Sequence, residues 1–426
     1  MSGLFDCGGR ESSTLSLERA RLCLDRRQSE YPFSPMREVA YSLPAAGAST
    51  PSPTAVGEGW DEGTQCAAAY QRPKHPEQGP ERAIERPVQG AYNHIVRISE
   101  LGEFGLIGLV RGWTSSQPAS EDLVLGIGDD AAAWRAGPEV LLGTTDTLVE
   151  GVHFLPDCSP EDLGWKAMTS NLSDIAAMGG VPRIALVSLA LPATTEVNWL
   201  QALYGGMLAA CREYNVALAG GDTVAASQVV LTIALVGRAA SAEGIMRRSG
   251  ARPGDLLALT GYLGNAEGGL RILKGTGQAS GELASFLLEA HLRPRPRVAE
   301  GQALASLGVR AAIDISDGLL ADCGHLCRES GVSATLRAAQ LPVHPYLRQA
   351  FPTDYFQMAA SGGEDYEILF AAPERLIERA NEELLSPITV IGRVEDGQPG
   401  RVTILDEDER PVDLPEAGWE HFRAGS

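Results

Sequence analysis

Residues 310–318 read Arg-Ala-Ala-Ile-Asp-Ile-Ser-Asp-Gly, an apolar run that turns acidic and then meets a glycine. The run predicts a buried strand over Arg310–Ile315, a helix over Gly318–Ser330 and a second strand over Ser333–Ala338. In such a strand Asp314 and Ser316 share one face, because side chains alternate along it. Asp317 is then expected to cap the following helix, whose N-terminus offers N–H groups and positive potential to a phosphate or a Mg²⁺-phosphate. Strand, acidic turn and helix in that order argue for α/β layers with a ligand at the strand ends.

Working outward, four more acidic motifs appear: Gly128-Asp129-Asp130, Thr144-Thr145-Asp146, Ser173-Asp174 and Gly220-Gly221-Asp222-Thr223. Strands are expected at Leu123–Ile127, Val140–Thr145, Ala217–Ala219 and Val229–Gly237, which puts most of these acids where an apolar strand runs out. Asp174 lies on an expected helix, Leu163–Met178, within a run of small apolar residues, so it faces a buried cleft. An isolated buried carboxylate is prohibitive. A hard cation resolves that cost: Mg²⁺ takes a few carboxylates and completes its shell with water and substrate phosphates. Each motif alone also has a plain reading. Gly128-Asp129-Asp130 serves equally as a hairpin turn, Gly220-Gly221 as a bulge, and Asp317 as a simple helix cap. Their joint presence points to phosphoryl transfer.

Composition narrows the field. The chain has 426 residues, a hydrophobic fraction of 44% and a net charge of −20. Such acidity argues against nucleic acid as a partner, since binding a phosphate backbone needs basic surface. Lysine occurs only at 74, 166 and 274, and no GxxxxGK[ST] loop is present, which closes the P-loop route to ATP. Leu125–Ala131 reads LGIGDDA, which is no dinucleotide fingerprint. Seven cysteines without a secretory signal read as free thiols of a cytoplasmic protein. No apolar run reaches the length of a membrane span. Cys323, His325 and Cys327 lie on one expected helix without a second ligand pair, so zinc is not expected.

Residues 1–92 mix Pro, Ser, Gly, Arg and Glu with little periodicity beyond a short helical pattern at Leu15–Leu24, and read as a disordered leader. The remainder divides into a first domain over 93–243, and a second over 244–426 that begins near the Arg252-Pro253-Gly254-Asp255 turn. Both alternate strands and helices, and a cleft shared between two such α/β domains is expected.

Other candidates keep two readings each. His153 is a turn or core histidine, or a donor to a phosphate oxygen. Arg247-Arg248 is solvated surface, or a phosphate clamp at the domain junction. Ser361-Gly-Gly-Glu364-Asp-Tyr-Glu367 is an acidic turn or part of a site. Trp419 anchors the C-terminal tail or stacks on a flat cationic heterocycle.

In order along the chain, GIGDDAA, TTDTLVEGVHF, GWKAMTSNLSDIAAMGG, GGDT, RRSGARPGD, LTGYLG, DISDGL, SGGEDYEILF and GWEHF resemble the thiamine-monophosphate kinase family, within the superfamily of aminoimidazole ribonucleotide synthetase. The resemblance covers roughly residues 96–422. It implies a two-domain fold of mixed sheets with flanking helices, a homodimer joined through the N-terminal domains, and ATP-dependent phosphorylation of thiamine monophosphate with several Mg²⁺ ions. Carried over by motif, Asp129, Thr144, Thr145, Asp146, Asp174, Asp222, Asp314 and Asp317 are the expected metal ligands. Gly221, Asp222, Arg248 and Ser316 are the expected ATP contacts. His153, Glu364 and Trp419 are the expected contacts to the thiamine substrate. A selenophosphate-synthetase branch of the superfamily is disfavoured, because no Cys or Lys lies between Ile95 and Asp129.

Overall fold

The computed structural model describes residues 98–114, 120–277, 279–414 and 418. The leader at 1–92, its Leu15–Leu24 helix and Trp419 lie outside the described residues. No described helix is long and apolar enough to cross a membrane.

Helix α1 (Ile98–Thr114) precedes a six-stranded sheet built from β1 (Leu123–Leu125), β2 (Ala132–Ala136), β3 (Glu139–Val149), β4 (Val181–Leu191), β5 (Ala217–Ala225) and β6 (Val230–Ala239). Its order is β1-β2-β3-β6-β4-β5. All neighbours are antiparallel except β4 and β5. That parallel pair needs a crossover, supplied by α3 (Val197–Glu213). Helix α2 (Pro160–Ala177) links β3 to β4. Ser159 caps it through Asp162 N, and Glu161 and Asp162 occupy its first turn, where acids suit the helix dipole.

The second sheet holds β7 (Leu256–Thr260), β8 (Ala311–Asp314), β9 (Ser333–Arg337), β10 (Ile368–Ala372), β11 (Ile388–Glu395) and β12 (Val402–Leu405), in the order β12-β9-β11-β7-β10-β8. Between them run α4 (Asn265–Leu273), α5 (Gly281–Leu292), α6 (Val298–Leu307), α7 (Leu319–Ser330), α8 (Pro345–Ala350), α9 (Tyr355–Ser361) and α10 (Glu374–Glu383). Pro294 and Pro296 end α5 and delay α6, as proline must.

Helix α2 is the centre of the molecule. It packs on β3 and β6 of one sheet, on β8 of the other, and on α3 and α6. Nearly its whole length is buried, polar residues included. The crossing with α3 is close because both helices carry glycine there. A Cβ on Gly164 meets the Leu203 carbonyl at 2.0 Å, and one on Gly206 meets the Glu161 carbonyl at 1.8 Å. One apolar core runs from Leu142, Leu172, Ile175 and Ile233 through α6 to Phe370, so it spans both sheets. A second, around Leu259, Ile313, Cys323 and Leu336, fills the far side of the second sheet.

Most expected elements are present, with two departures that matter for the site. Thr144–Asp146 and Gly220–Thr223 lie inside β3 and β5 instead of at strand ends. Pairing with β6 and β4 carries both strands on past their polar residues. The short strand β2 and helices α8 and α9 were not read from the sequence, whose periodicity there is too short to register.

Candidate active site

Four elements deliver carboxylates to one place. Asp129 and Asp130 precede β2, Asp146 stands on β3, Asp174 on α2, and Asp314 ends β8. Asp130, Asp174 and Asp314 each bring a carboxylate oxygen within 4.8 Å of the others. Ser173 Oγ donates to Asp314 Oδ2 at 2.7 Å, Thr144 Oγ1 donates to Asp174, and Asp146 N donates to Asn171 Oδ1 at 3.2 Å. The alternation of β3 makes this possible: Leu142, Thr144, Asp146 and Leu148 turn toward α2, while Thr145 and Thr147 turn outward and are exposed.

These acids stand too close together to ionise freely. Burial, with Asp130 beside it, pushes Asp129 up to about 7, although Arg248 opposes the rise. Burial and the Asp130 charge lift Asp314 to about 8. Asp174 is raised well above the usual carboxylate range by burial and by Asp146, Asp314 and Asp130, and burial raises Asp146. A cation among them reverses this, since a bound ion is the largest local charge in such a site. The residues fit a hard divalent ion: the donors are all oxygen, the carboxylates are raised by burial and by one another, and Asp130 Oδ2 is buried without a hydrogen-bond partner among the described residues.

Arg248 sits where the chain passes from the first sheet to the second. Its N–H donates to Asp129 Oδ1 at 2.8 Å, its side chain pairs with Asp130, and its carbonyl accepts from Ser330 Oγ at 2.6 Å. The arginine is therefore already engaged by the acids. Asp130, given no role from the sequence, is its anchor.

Several expected ligands stand elsewhere. The row Thr147–Thr232–Ser188–Asp222 runs across the outer face of the first sheet, so Asp222 faces away from α2 and from Asp146. Thr145 shares that outer face. Both therefore leave the set of side chains around Asp174; the cause is strand parity, which residue spacing alone did not resolve. Gly221 is glycine for a packing reason, as a Cβ there meets the Val187 carbonyl at 1.7 Å. Gly220 has open space around it.

The helix-end expectation also changes. The N-cap of α7 is Gly318, not Asp317. Asp322, one turn into the helix, reaches back to accept from the N–H groups of Ser316, Asp317 and Gly318 at 3.0–3.1 Å. The helix end that was to receive a phosphate is thus already occupied by a carboxylate. Asp317 groups with Asp322 and His325, within 4.8 Å, apart from the Asp130 group. Burial together with Arg248 and Arg328 holds His325 down at about 3.

Beyond the acids lies a buried charge pair. Lys166 Nζ on α2 is 2.6 Å from Glu364 Oε1, and His291 Nδ1 on α5 is 3.3 Å from Glu364 Oε2. His153, whose Nδ1 accepts from Val149 N at 3.0 Å, acts on the same carboxylate. The structure thus brings together His153 and Glu364, two of the three expected substrate contacts. Lys166 and His291 were not singled out beforehand. The signal for Lys166 was present: one of three lysines in the chain stands inside an apolar helical run.

Residues 128–239 match the family model of the AIR synthase related protein N-terminal domain, and residues 252–405 match that of its C-terminal domain. The chain is 39% identical to the thiamine-monophosphate kinase of Escherichia coli strain K12 over 327 residues, covering 75% of this chain and 98% of that one. It is 37% identical to the thiamine-monophosphate kinase of Aquifex aeolicus over 330 residues, covering 77% and 100%. A solved structure described as AaThiL complexed with AMPPCP and TMP superposes with a TM-score of 0.68 at 35% identity, covering 77% of this chain and 99% of that one.

Proposed function

The chain belongs to the AIR synthase related family and, within it, to the thiamine-monophosphate kinases; from that premise we propose that it transfers the γ-phosphoryl group of ATP to thiamine monophosphate, giving thiamine diphosphate and ADP. The observation that carries this reading is the convergence of Asp129, Asp130, Asp146, Asp174 and Asp314, from both sheets, on one centre. Asp129, Asp146, Asp174 and Asp314 would hold Mg²⁺, with Thr144 orienting Asp174 and Ser173 orienting Asp314. Asp317 belongs to a separate group with Asp322 and His325 and would act at the edge of the site. When bound, Mg²⁺ supplies charge neutralisation for two phosphorylated reactants and a template for their alignment.

The protein's own part is positioning. The phosphate of thiamine monophosphate is itself an anionic nucleophile, so no strong general base is required, and we infer direct in-line attack on the γ-phosphorus without a covalent enzyme intermediate. Arg248 fixes Asp129 and Asp130 and is proposed to reach a nucleotide phosphate. Ser316, on the loop beside Asp314, and Gly221 with Asp222, on the open edge strand, are proposed as further nucleotide contacts. His153, Glu364 and Trp419 are the proposed contacts to the thiamine moiety.

A cytoplasmic homodimer is the proposed form. Its support is the outer face of the first sheet, where Ile184, Leu186 and Val224 are exposed and, among the described residues, no strand pairs with the outer edge of β5. An apolar face with an open edge is a liability unless a partner covers it. Light scattering of the purified protein checks the dimer. For the activity, a coupled assay of ADP release decides: release that requires both Mg²⁺ and thiamine monophosphate is expected. Release independent of thiamine monophosphate, or none, refutes the assignment.

A further inference from the structure

We propose that Lys166 and His291 are positioning residues that hold Glu364 as a charged acceptor for the aminopyrimidine end of the substrate, with α2 setting its distance from the phosphate end. The inference rests on the kinase reading above and deepens it. Lys166, Ser170 and Ser173 fall at i, i+4 and i+7 on α2, so they form one stripe. All three are buried. Ser173 donates to Asp314 and Lys166 pairs with Glu364, while Ser170 between them donates to the Ala167 carbonyl. Seven residues of helix separate the two ends of the stripe, about 10 Å.

A substrate whose phosphate lies at the acid cluster extends its other end along this stripe. In thiamine monophosphate an ethyl arm and a thiazolium separate the phosphate from the pyrimidine, whose amino group is a donor. Glu364 is suited to accept from it. Its side chain is 27% exposed while its two partners are almost fully buried. It also stands at φ 66°, a left-handed conformation that a glutamate adopts only where its surroundings enforce it. Its N–H donates to the Ser316 carbonyl at 2.8 Å, which ties the loop to the strand carrying Asp314.

The two partners hold the carboxylate from a buried position. Lys166 is 3% exposed and His291 6%, with Lys166 Nζ 2.6 Å and His291 Nδ1 3.3 Å from the carboxylate oxygens. A carboxylate has about four lone-pair sites, so two neighbours leave room for a ligand. Burial pushes Glu364 up, but Lys166 above all outweighs it and keeps the carboxyl below its ordinary value. Burial and Lys166 hold His291 at about 4, so near pH 7 it is a neutral neighbour and Lys166 is the charge that holds Glu364 ionised. The other titratable groups facing Glu364 are Cys158, raised by burial to about 11, and Tyr366, also raised by burial; both stay neutral.

The test is the KM for thiamine monophosphate from pH 6 to 9, at saturating ATP and Mg²⁺, in the wild type, Glu364→Gln, Lys166→Met and the double variant. Glu364→Gln is expected to raise KM about 10- to 100-fold at every pH, the range for losing a hydrogen bond to a charged group. Lys166→Met leaves the part-buried carboxyl without its cation, so its KM should match Glu364→Gln near pH 6 and recover as pH rises and the acid ionises. The double variant should behave as Glu364→Gln with no added pH dependence.

A wild-type KM in Lys166→Met at all pH values, or a raised KM without the pH trend, overturns the proposal. Should Lys166→Met fail to fold, the double variant, which buries no unpaired charge, decides it: a wild-type KM there is refutation. If the wild type turns over thiamine monophosphate and the variants leave KM unmoved, only this subsite falls. A wild type with no such turnover removes both readings.

Discussion

Stripping Mg²⁺ from the protein and raising the pH should destabilise it, and the sign follows from the acid cluster. Asp314 is 2% exposed and titrates at about 8 in the fold, against 3.8 for an unperturbed carboxyl. Asp129 titrates at about 7. A folded acid with a raised pKa binds its proton where the unfolded chain has released it, so its contribution is present at low pH and lost as pH rises through the folded value. The buried histidines act in the opposite sense. His291 and His325 are held at about 4 and 3, so their effect fades above the unfolded value of 6.5. At pH 6.5 the two offset about one proton, fewer than Asp129, Asp314 and Asp365 together hold, so the carboxyls set the sign from pH 6.5 to 8. One excess proton on Asp314 alone gives a fall of about 1.4 kcal/mol per pH unit, approaching zero slope above pH 8. For a chain of this size that is a few degrees in melting temperature per pH unit, on the order of what calorimetry resolves easily. Saturating Mg²⁺ ionises the cluster and should reduce the slope, with a stabilisation that grows with pH, while Asp365, raised to about 8 outside the cluster, keeps its share. Scanning calorimetry in EDTA and in Mg²⁺ at pH 6.5, 7.25 and 8 measures both. A metal-free melting temperature that is flat or rises over this range, or equal Mg²⁺ stabilisation at the two extremes, would refute the reasoning.

Further outcomes are expected from single substitutions. Asp174→Asn should cut kcat by about 10²-fold or more, as loss of a group stabilising transferred charge does, while the metal-free protein melts no lower, since repulsion with Asp146 and Asp314 is relieved; near-normal turnover removes Asp174 from the metal set. Arg248→Gln strands Asp130, whose side chain is fully buried, and should cost about 3–5 kcal/mol in urea unfolding, most of it restored by adding Asp130→Asn. Gly221→Ala forces a methyl into the Val187 carbonyl and should destabilise by about 1–3 kcal/mol, read by urea unfolding together with light scattering, where loss of the dimer is expected if β5 lies at the subunit contact.

The acids themselves were legible because carboxylates inside apolar runs are costly, and that cost is visible in a string of letters: Asp174 among Leu172, Ile175 and Ala176, and Asp314 after Ala312 and Ile313, announce a buried polar centre. Alternating strand and helix patterns likewise carried the layered α/β class, since periodicity is a local property. Membership of the kinase family was legible from the order of motifs. What no local pattern contained was the parity of a strand against its neighbours. Thr145 and Asp222 looked equivalent to Thr144 and Asp146 until the register with β6 and β4 set them on opposite faces of one sheet. Nor was it local that Lys166, Glu364 and His291 meet from three distant stretches, or that Ser173 meets Asp314. Those partnerships depend on where α2 lies between two sheets, and side-chain contacts across elements are settled only when the elements pack.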